Sequence, residues 1–217
     1  CWNSTDTLRF RLRLCNYSEE VFHEAVTWEL GDGRNFTRRG SIEHSGLENG
    51  QVKDLAEVSL PLSELRQSTR LKLMLSAGGL ANRYNLWVYV DNTEHRGAHS
   101  YMLSDTLDAS TVKALDAGAR VLLTPGHSSI ERQSVGGLFT PDYWNYAMFK
   151  TISENNGKPV SPGTLGMLMD PDHPVFGHFP TDGWSDWQWW SIALNSRPLI
   201  LNSLDKSYFP IIQTIDN

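Results

Sequence analysis

The chain has 217 residues, of which 40% are hydrophobic, 11% aromatic and 20% charged, enough apolar material for real cores and far from the composition of disordered chains. Nineteen Lys and Arg against 25 Asp and Glu give a net charge of −6, so no broad basic surface exists to displace counterions from a phosphate backbone, and nucleic acid is not an expected partner. No apolar run reaches the roughly 18–20 residues that cross a bilayer, no signal-peptide pattern opens the chain, and the length predicts two domains.

In chain order, Cys1 is followed almost at once by strand-like sequence, which reads as a cut inside a longer polypeptide. Cys1 and Cys15 leave one disulfide and two unpaired, partly buried thiols equally open. In "LRFRLRL" Leu8, Phe10, Leu12 and Leu14 fall on one face and Arg9, Arg11 and Arg13 on the other, the period of a half-buried antiparallel strand. Further strands are predicted at 25–30, 36–43, 53–62, 70–76 and 84–90, separated by turn-rich pieces such as "GDGRN" and "HSGLENG". Short strands at this spacing predict an all-β, immunoglobulin-like sandwich over 1–92. Asn3, Asn16 and Asn35 each begin an N-x-[ST] triplet, which matters only in a glycosylating host.

From 98 to 217 the pattern becomes α/β, with helical segments alternating with short apolar runs. "SYMLS" reads as a strand, Asp108 as the cap of a helix through Ala117 with Gly118 at C′, and "RVLLT" 120–124 as a second strand. Pro141 opens a helix along "DYWNYAMFKTISENN", and strands follow at 164–169, 198–201 and 210–215. "HRGAH", with His95 and His99 around the boundary, has the spacing of helical zinc ligands, but Gly97 within it favours a linker.

"GWSDWQWW" puts four tryptophans into residues 183–190. Ser185 and Gln188 match a capping box, which makes Trp184 and Trp189 the partners of a hydrophobic staple and places Trp187, Trp190, Ala193 and Leu194 on one stripe. A packed helix start accounts for all four rings. The alternative is an exposed ring, Trp184 or Trp189, stacking on a sugar face, with Tyr143, Trp144 and Tyr146 as a second aromatic group. Ser128, Ser129, His127 and Glu131 stand close in "GHSSIE", a weak hydrolase signal without a G-x-S-x-G elbow. Asp170, Asp172, His173 and His178 are residue types that bind divalent metal, although Pro171 and Pro174 more simply mark a turn, so no metal site is assigned. No nucleotide glycine fingerprint is present and no cofactor is expected.

"VGGLFTPDYWNYAMFK", "SPGTLGMLMDPDHPVFGHFP", "DWQWW", "NSRPLIL" and "PIIQTIDN", preceded by a strand ending "LWVYV", together resemble the C-terminal accessory region of glycoside hydrolase family 2, the β-galactosidase-like proteins of polysaccharide-degrading Bacteroidetes. The resemblance covers nearly the whole chain. It implies a parent with a sugar-binding jelly roll, immunoglobulin-like domains and a TIM barrel that hydrolyses glycosides with paired carboxylates. It also implies that the second half is a class I glutamine amidotransferase-like, flavodoxin-like domain, truncated at its C-terminus and serving subunit contacts.

A barrel needs about 250 residues, so no catalytic glutamate can be carried over to this chain. The second half has no cysteine, which fits a non-catalytic version of the amidotransferase fold. The implied role is an accessory or scaffold region, with the barrel and other domains of the parent as partners. Carbohydrate and a second copy of the chain are further partners, and the implied location, through the parent, is periplasmic or at the cell surface. A carbohydrate-binding module and an independent serine hydrolase are the alternatives.

Overall fold

In the computed structural model the described residues are 1–90, 100–135, 146–158, 164–202, 204–205 and 207–216. They divide into two units, Cys1–Asp91 with Asp172–Thr181, and Asn92–Pro171 with Asp182–Asn217. The protein is β-rich. The first unit contains strands β1 (Trp2–Asn3), β2 (Thr7–Cys15), β3 (Val26–Gly31), β4 (Thr37–Ile42), β5 (Val52–Pro61), β6 (Thr69–Ala77) and β7 (Leu80–Tyr89). Five of them form a sheet in the order β1-β7-β6-β3-β4, and β2 pairs with β5 in a separate antiparallel ribbon.

The alternation in β2 explains how the two sheets share a core. Leu8 and Leu12 are buried and Arg9, Arg11 and Arg13 are exposed. Leu8 joins Leu30 of β3, Leu71 and Leu73 of β6 and Val88 of β7 in one cluster, closed by Leu62 and Leu65. Phe10 meets Trp28 edge to face at 5.6 Å. Gly40 of β4 lies directly under that indole, where a Cβ would stand 2.6 Å from its nitrogen, so the bare backbone is what lets the ring lie down. On the wet face Arg13 grips Asp54 with two hydrogen bonds, 2.6 Å from Nε and 3.1 Å from Nη2.

β6 and β7 are joined by a two-residue turn. Gly78 and Gly79 have φ of 53° and 81°, the pair of positive angles that a tight hairpin turn requires. Pairing therefore begins at once, Ala77 with Leu80, and β7 starts four residues before its predicted start at Tyr84. The early half was illegible because Ala81, Asn82 and Arg83 carry no apolar alternation and are exposed. Asp172–Thr181 also belongs to this unit. Phe179 stacks on Tyr89, with ring centroids 5.1 Å apart and planes at 13°.

The second unit contains β8 (Met102–Ser104), α1 (Ala109–Asp116), β9 (Val121–Leu123), α2 (Tyr146–Asn155), β10 (Thr164–Met169), α3 (Trp190–Leu194) and β11 (Ile212–Asp216). β8 and β9 pair in parallel across α1, the strand, helix, strand unit that the sequence predicts. The cap is as expected, since Asp108 accepts from the Thr111 amide at 2.8 Å. Gly118 follows the helix at φ 84°, and Ala119 N–H donates back to the Ala114 carbonyl, closing the helix end.

β10 and β11 pair antiparallel, with a register shift between Thr164 and Gly166. Among the described residues the four strands of this unit thus form two separate pairs. The strand expected at 198–201 is reduced to an isolated bridge between Ser134 and Leu199, because Pro198 has no N–H and a single bridge is all that the neighbouring 134–135 segment offers. The predicted linker with His95 and His99 and the Pro141 helix start lie outside the described residues.

Candidate functional site

The tryptophan cluster is the densest candidate in the sequence, and the structure distributes its four rings differently from the predicted helix start. Ser185 does not cap a helix. Its N–H donates to the Met167 carbonyl at 2.9 Å and its Oγ accepts from the Met167 amide at 3.0 Å, so β10 takes the groups that a capping box would use. Residues 183–185 instead run antiparallel to β10, with Met169 N–H donating to Gly183 and Leu168 bridging Trp184. The helix begins later, in a 3-10 turn over Trp187–Trp189, where Asp186 accepts from the Trp187 amide at 2.8 Å.

With three residues per turn instead of 3.6 at its start, the helix keeps only Ala193 of the predicted stripe inside. Trp189 and Ala193, one helical turn apart, are the buried pair, whereas Trp187, Trp190 and Leu194 are exposed. The expected staple positions shift as well, because Asp186 and not Ser185 is the cap, and Trp184 is 61% exposed while Trp189 is only 3%. Trp189 therefore presents no open ring face at the outer surface for a sugar to stack on. Trp184 keeps that possibility. Trp187, which the sequence reading assigned to the core, is 72% exposed and lies 6.4 Å from Trp190 at 41° between planes. Tyr143 and Trp144 lie outside the described residues, as does the side chain of Tyr146.

The candidate chemistry of the loops resolves into local structure. Ser129 Oγ donates to the Gly126 carbonyl at 2.7 Å, a turn hydrogen bond and not one to an imidazole. His127, Ser128 and Glu131 are exposed on the same 3-10 segment, His127–Gln133. His173 caps the 3-10 turn Pro174–Phe176, its Nδ1 accepting from the Val175 amide at 3.2 Å. Among the described residues no three His, Cys, Asp or Glu side chains gather in a set able to hold a metal ion. Cys1 and Cys15 are both free and exposed. Asn16 is no open glycosylation position: it is buried, its Nδ2 donates to the carbonyls of Glu20 and Leu47, and its Oδ1 accepts from Ser18 N–H and Oγ.

A further feature of the second unit went unread in the sequence. Helix α1 buries Thr111, whose Oγ donates to the Thr106 carbonyl at 3.1 Å and bonds Ser104 Oγ at 3.1 Å. Its apolar side chains Val112 and Leu115 are exposed, as are Leu103, Leu122 and Leu123 on the β8–β9 pair. The helix covers its threonine, while Leu115, one turn on along the same face, stays exposed. Each such side chain keeps between 38% and 65% of its surface in water and so forgoes part of the roughly 1.5–3 kcal/mol that full burial gives.

No helix among the described residues is long and apolar enough to cross a membrane. Known families divide the chain in two. Residues 6–90 match the model of a family described as a domain of unknown function, DUF8488, and no curated protein matches the chain. Residues 102–217, just over half of the sequence, match the model of a second family described as a domain of unknown function, and the chain belongs to that family, DUF8487.

Proposed function

We propose that this chain is an accessory region of a β-galactosidase-like glycoside hydrolase, an immunoglobulin-like sandwich followed by an amidotransferase-like α/β domain that docks against other parts of the parent. The observation that carries the reading is the uncovered apolar surface of α1 and the β8–β9 pair, with Val112, Leu115, Leu103 and Leu122 exposed. These side chains gain burial only when more polypeptide covers them. The strand, helix, strand order of β8, α1 and β9 supports the α/β assignment, and the two sheets with a common core support the sandwich. In this reading glycoside hydrolysis belongs to a barrel elsewhere in the parent, outside the cell membrane. The gene sequence upstream of Cys1 tests it: a segment of about 250 residues with barrel periodicity is expected, and a coding start immediately before Cys1 would contradict it.

A second reading, direct contact with glycan, is favoured by the exposed Trp187–Trp190 pair and by Trp184, because an open indole face stacks on the C–H face of a sugar. A glycan array probed with the chain and with Trp187→Ala and Trp184→Ala distinguishes it. Loss of signal in either variant supports stacking, and an array without signal for the unmodified chain rejects it.

A further inference from the structure

The second unit holds an open cavity of about 690 Å³ between β11 and a wall that includes Arg197, Asn202, Asp205 and Tyr208, within the range of ligand pockets, about 300–1,000 Å³. Its walls are held by backbone. Ile200 N–H donates to the Gln133 carbonyl at 2.8 Å and Val135 N–H to the Pro198 carbonyl at 2.9 Å, while Gln213 sits on β11 opposite Leu168. Buried Trp189 is part of the lining.

The polar lining has a definite chemistry. Arg197, Asn202, Asp205 and Gln213 each carry a planar group able to offer two atoms at once. Asp205 is oriented by Ser207, whose N–H and Oγ donate to Oδ1 at 2.8 and 2.7 Å. The same hydroxyl and amide hold the carboxyl below its usual range, so it is an acceptor at neutral pH. Arg197 is half-buried, its Nε is enclosed without a hydrogen-bond partner, and it forms no ion pair, all among the described residues. A partly desolvated guanidinium without an acceptor gains more from a ligand oxygen than a solvated one does. Tyr208 and Phe209, the latter 83% exposed, add aromatic rings to the lining.

Among the described residues the lining carries one cation, Arg197, and one anion, Asp205, a balance that disfavours an ionic ligand. Planar bidentate groups suit adjacent hydroxyls, and aromatic rings suit C–H faces. We infer that this cavity binds a neutral saccharide, with Arg197, Asn202, Asp205 and Gln213 contacting its hydroxyls and Phe209 or Tyr208 covering a ring face. The inference rests on the reading that the chain serves a carbohydrate-active protein, but it concerns a site separate from the docking face and from Trp187.

Calorimetry on the full chain tests it with galactose, xylose, lactose, cellobiose, xylobiose and mannobiose as neutral probes and trigalacturonic acid as the charged one. Saturable binding of at least one neutral probe is expected, weakened tenfold or more by Arg197→Ala and by Phe209→Ala and unchanged by Trp187→Ala. Phe209 is exposed enough that its removal leaves the fold intact, which keeps the test valid where Arg197→Ala unfolds. Binding of none of the neutral probes, tighter binding of trigalacturonic acid, or loss of binding in Trp187→Ala alone would each overturn the cavity assignment. None of these outcomes bears on whether other polypeptide covers α1.

Discussion

Residues of like type separate by what surrounds them. Trp189→Ala removes a ring that is 3% exposed and is expected to cost about 3–5 kcal/mol, while Trp187→Ala is expected to stay within about 0.5 kcal/mol. Urea denaturation of both variants checks the assignment, and equal losses would restore the predicted stripe. Asn16→Ala is expected to cost about 1–3 kcal/mol, because it removes two hydrogen bonds to the carbonyls of Glu20 and Leu47 and leaves the Ser18 amide without its acceptor; a shift in denaturation midpoint with an unchanged slope is the readout. Nothing in "NYS" separates this buried clamp from a glycosylation triplet, since its partners Glu20 and Leu47 are identified only once the loop closes.

Acid sensitivity also belongs at this scale. Hydrogen bonding from the Arg13 guanidinium, with the charges of Arg13 and Arg11, holds the Asp54 carboxyl below its ordinary range against a smaller push from burial. For Asp32 burial pushes upward, but the amides of Arg34, Phe36 and Asn35 together outweigh it, and the net direction is again down. A depressed folded-state value gives stability that is complete above the unfolded pKa, about 4, and is lost as pH falls through the folded one. The denaturation midpoint of the chain is expected to drop between pH 5 and pH 2, and Asp54→Asn and Asp32→Asn to flatten that drop. A profile identical in both variants would show that these contacts do not matter.

Elements were legible where a short-range signal fixed them. Asp108 and Gly118 bracket α1, and both ends of the helix stand where the capping chemistry puts them. Asp108→Ala is expected to cost about 1 kcal/mol, read as a loss of far-ultraviolet helix signal together with a lower thermal midpoint, and no change would contradict the capping role. Legibility failed where an element's partner lies far off in sequence. Ser185, Asp186 and Gln188 carry a sound local helix start, yet β10 captures Ser185, and the 3-10 turn that results shifts the buried positions. The early half of β7 and the bridge at Leu199 follow the same rule: pairing across a turn or to a distant segment overrides the pattern of the strand itself.

For the whole molecule, the sequence changes periodicity after residue 90, and the two family matches, 6–90 and 102–217, fall on either side of that change. Which apolar side chains of the second unit stay uncovered was not legible in the sequence. Thr111 and Leu115, one turn apart, share a helix face, and only the placed strands show that the first is buried and the second exposed. The docking reading depends on that exposed apolar surface, and hydrogen exchange tests it most directly. Amide protection over residues 102–123 is measured in this chain and in the longer parent polypeptide that the proposal requires. The account predicts exchange at least tenfold slower for β8, α1 and β9 in the longer polypeptide, and equal protection in the two would contradict it.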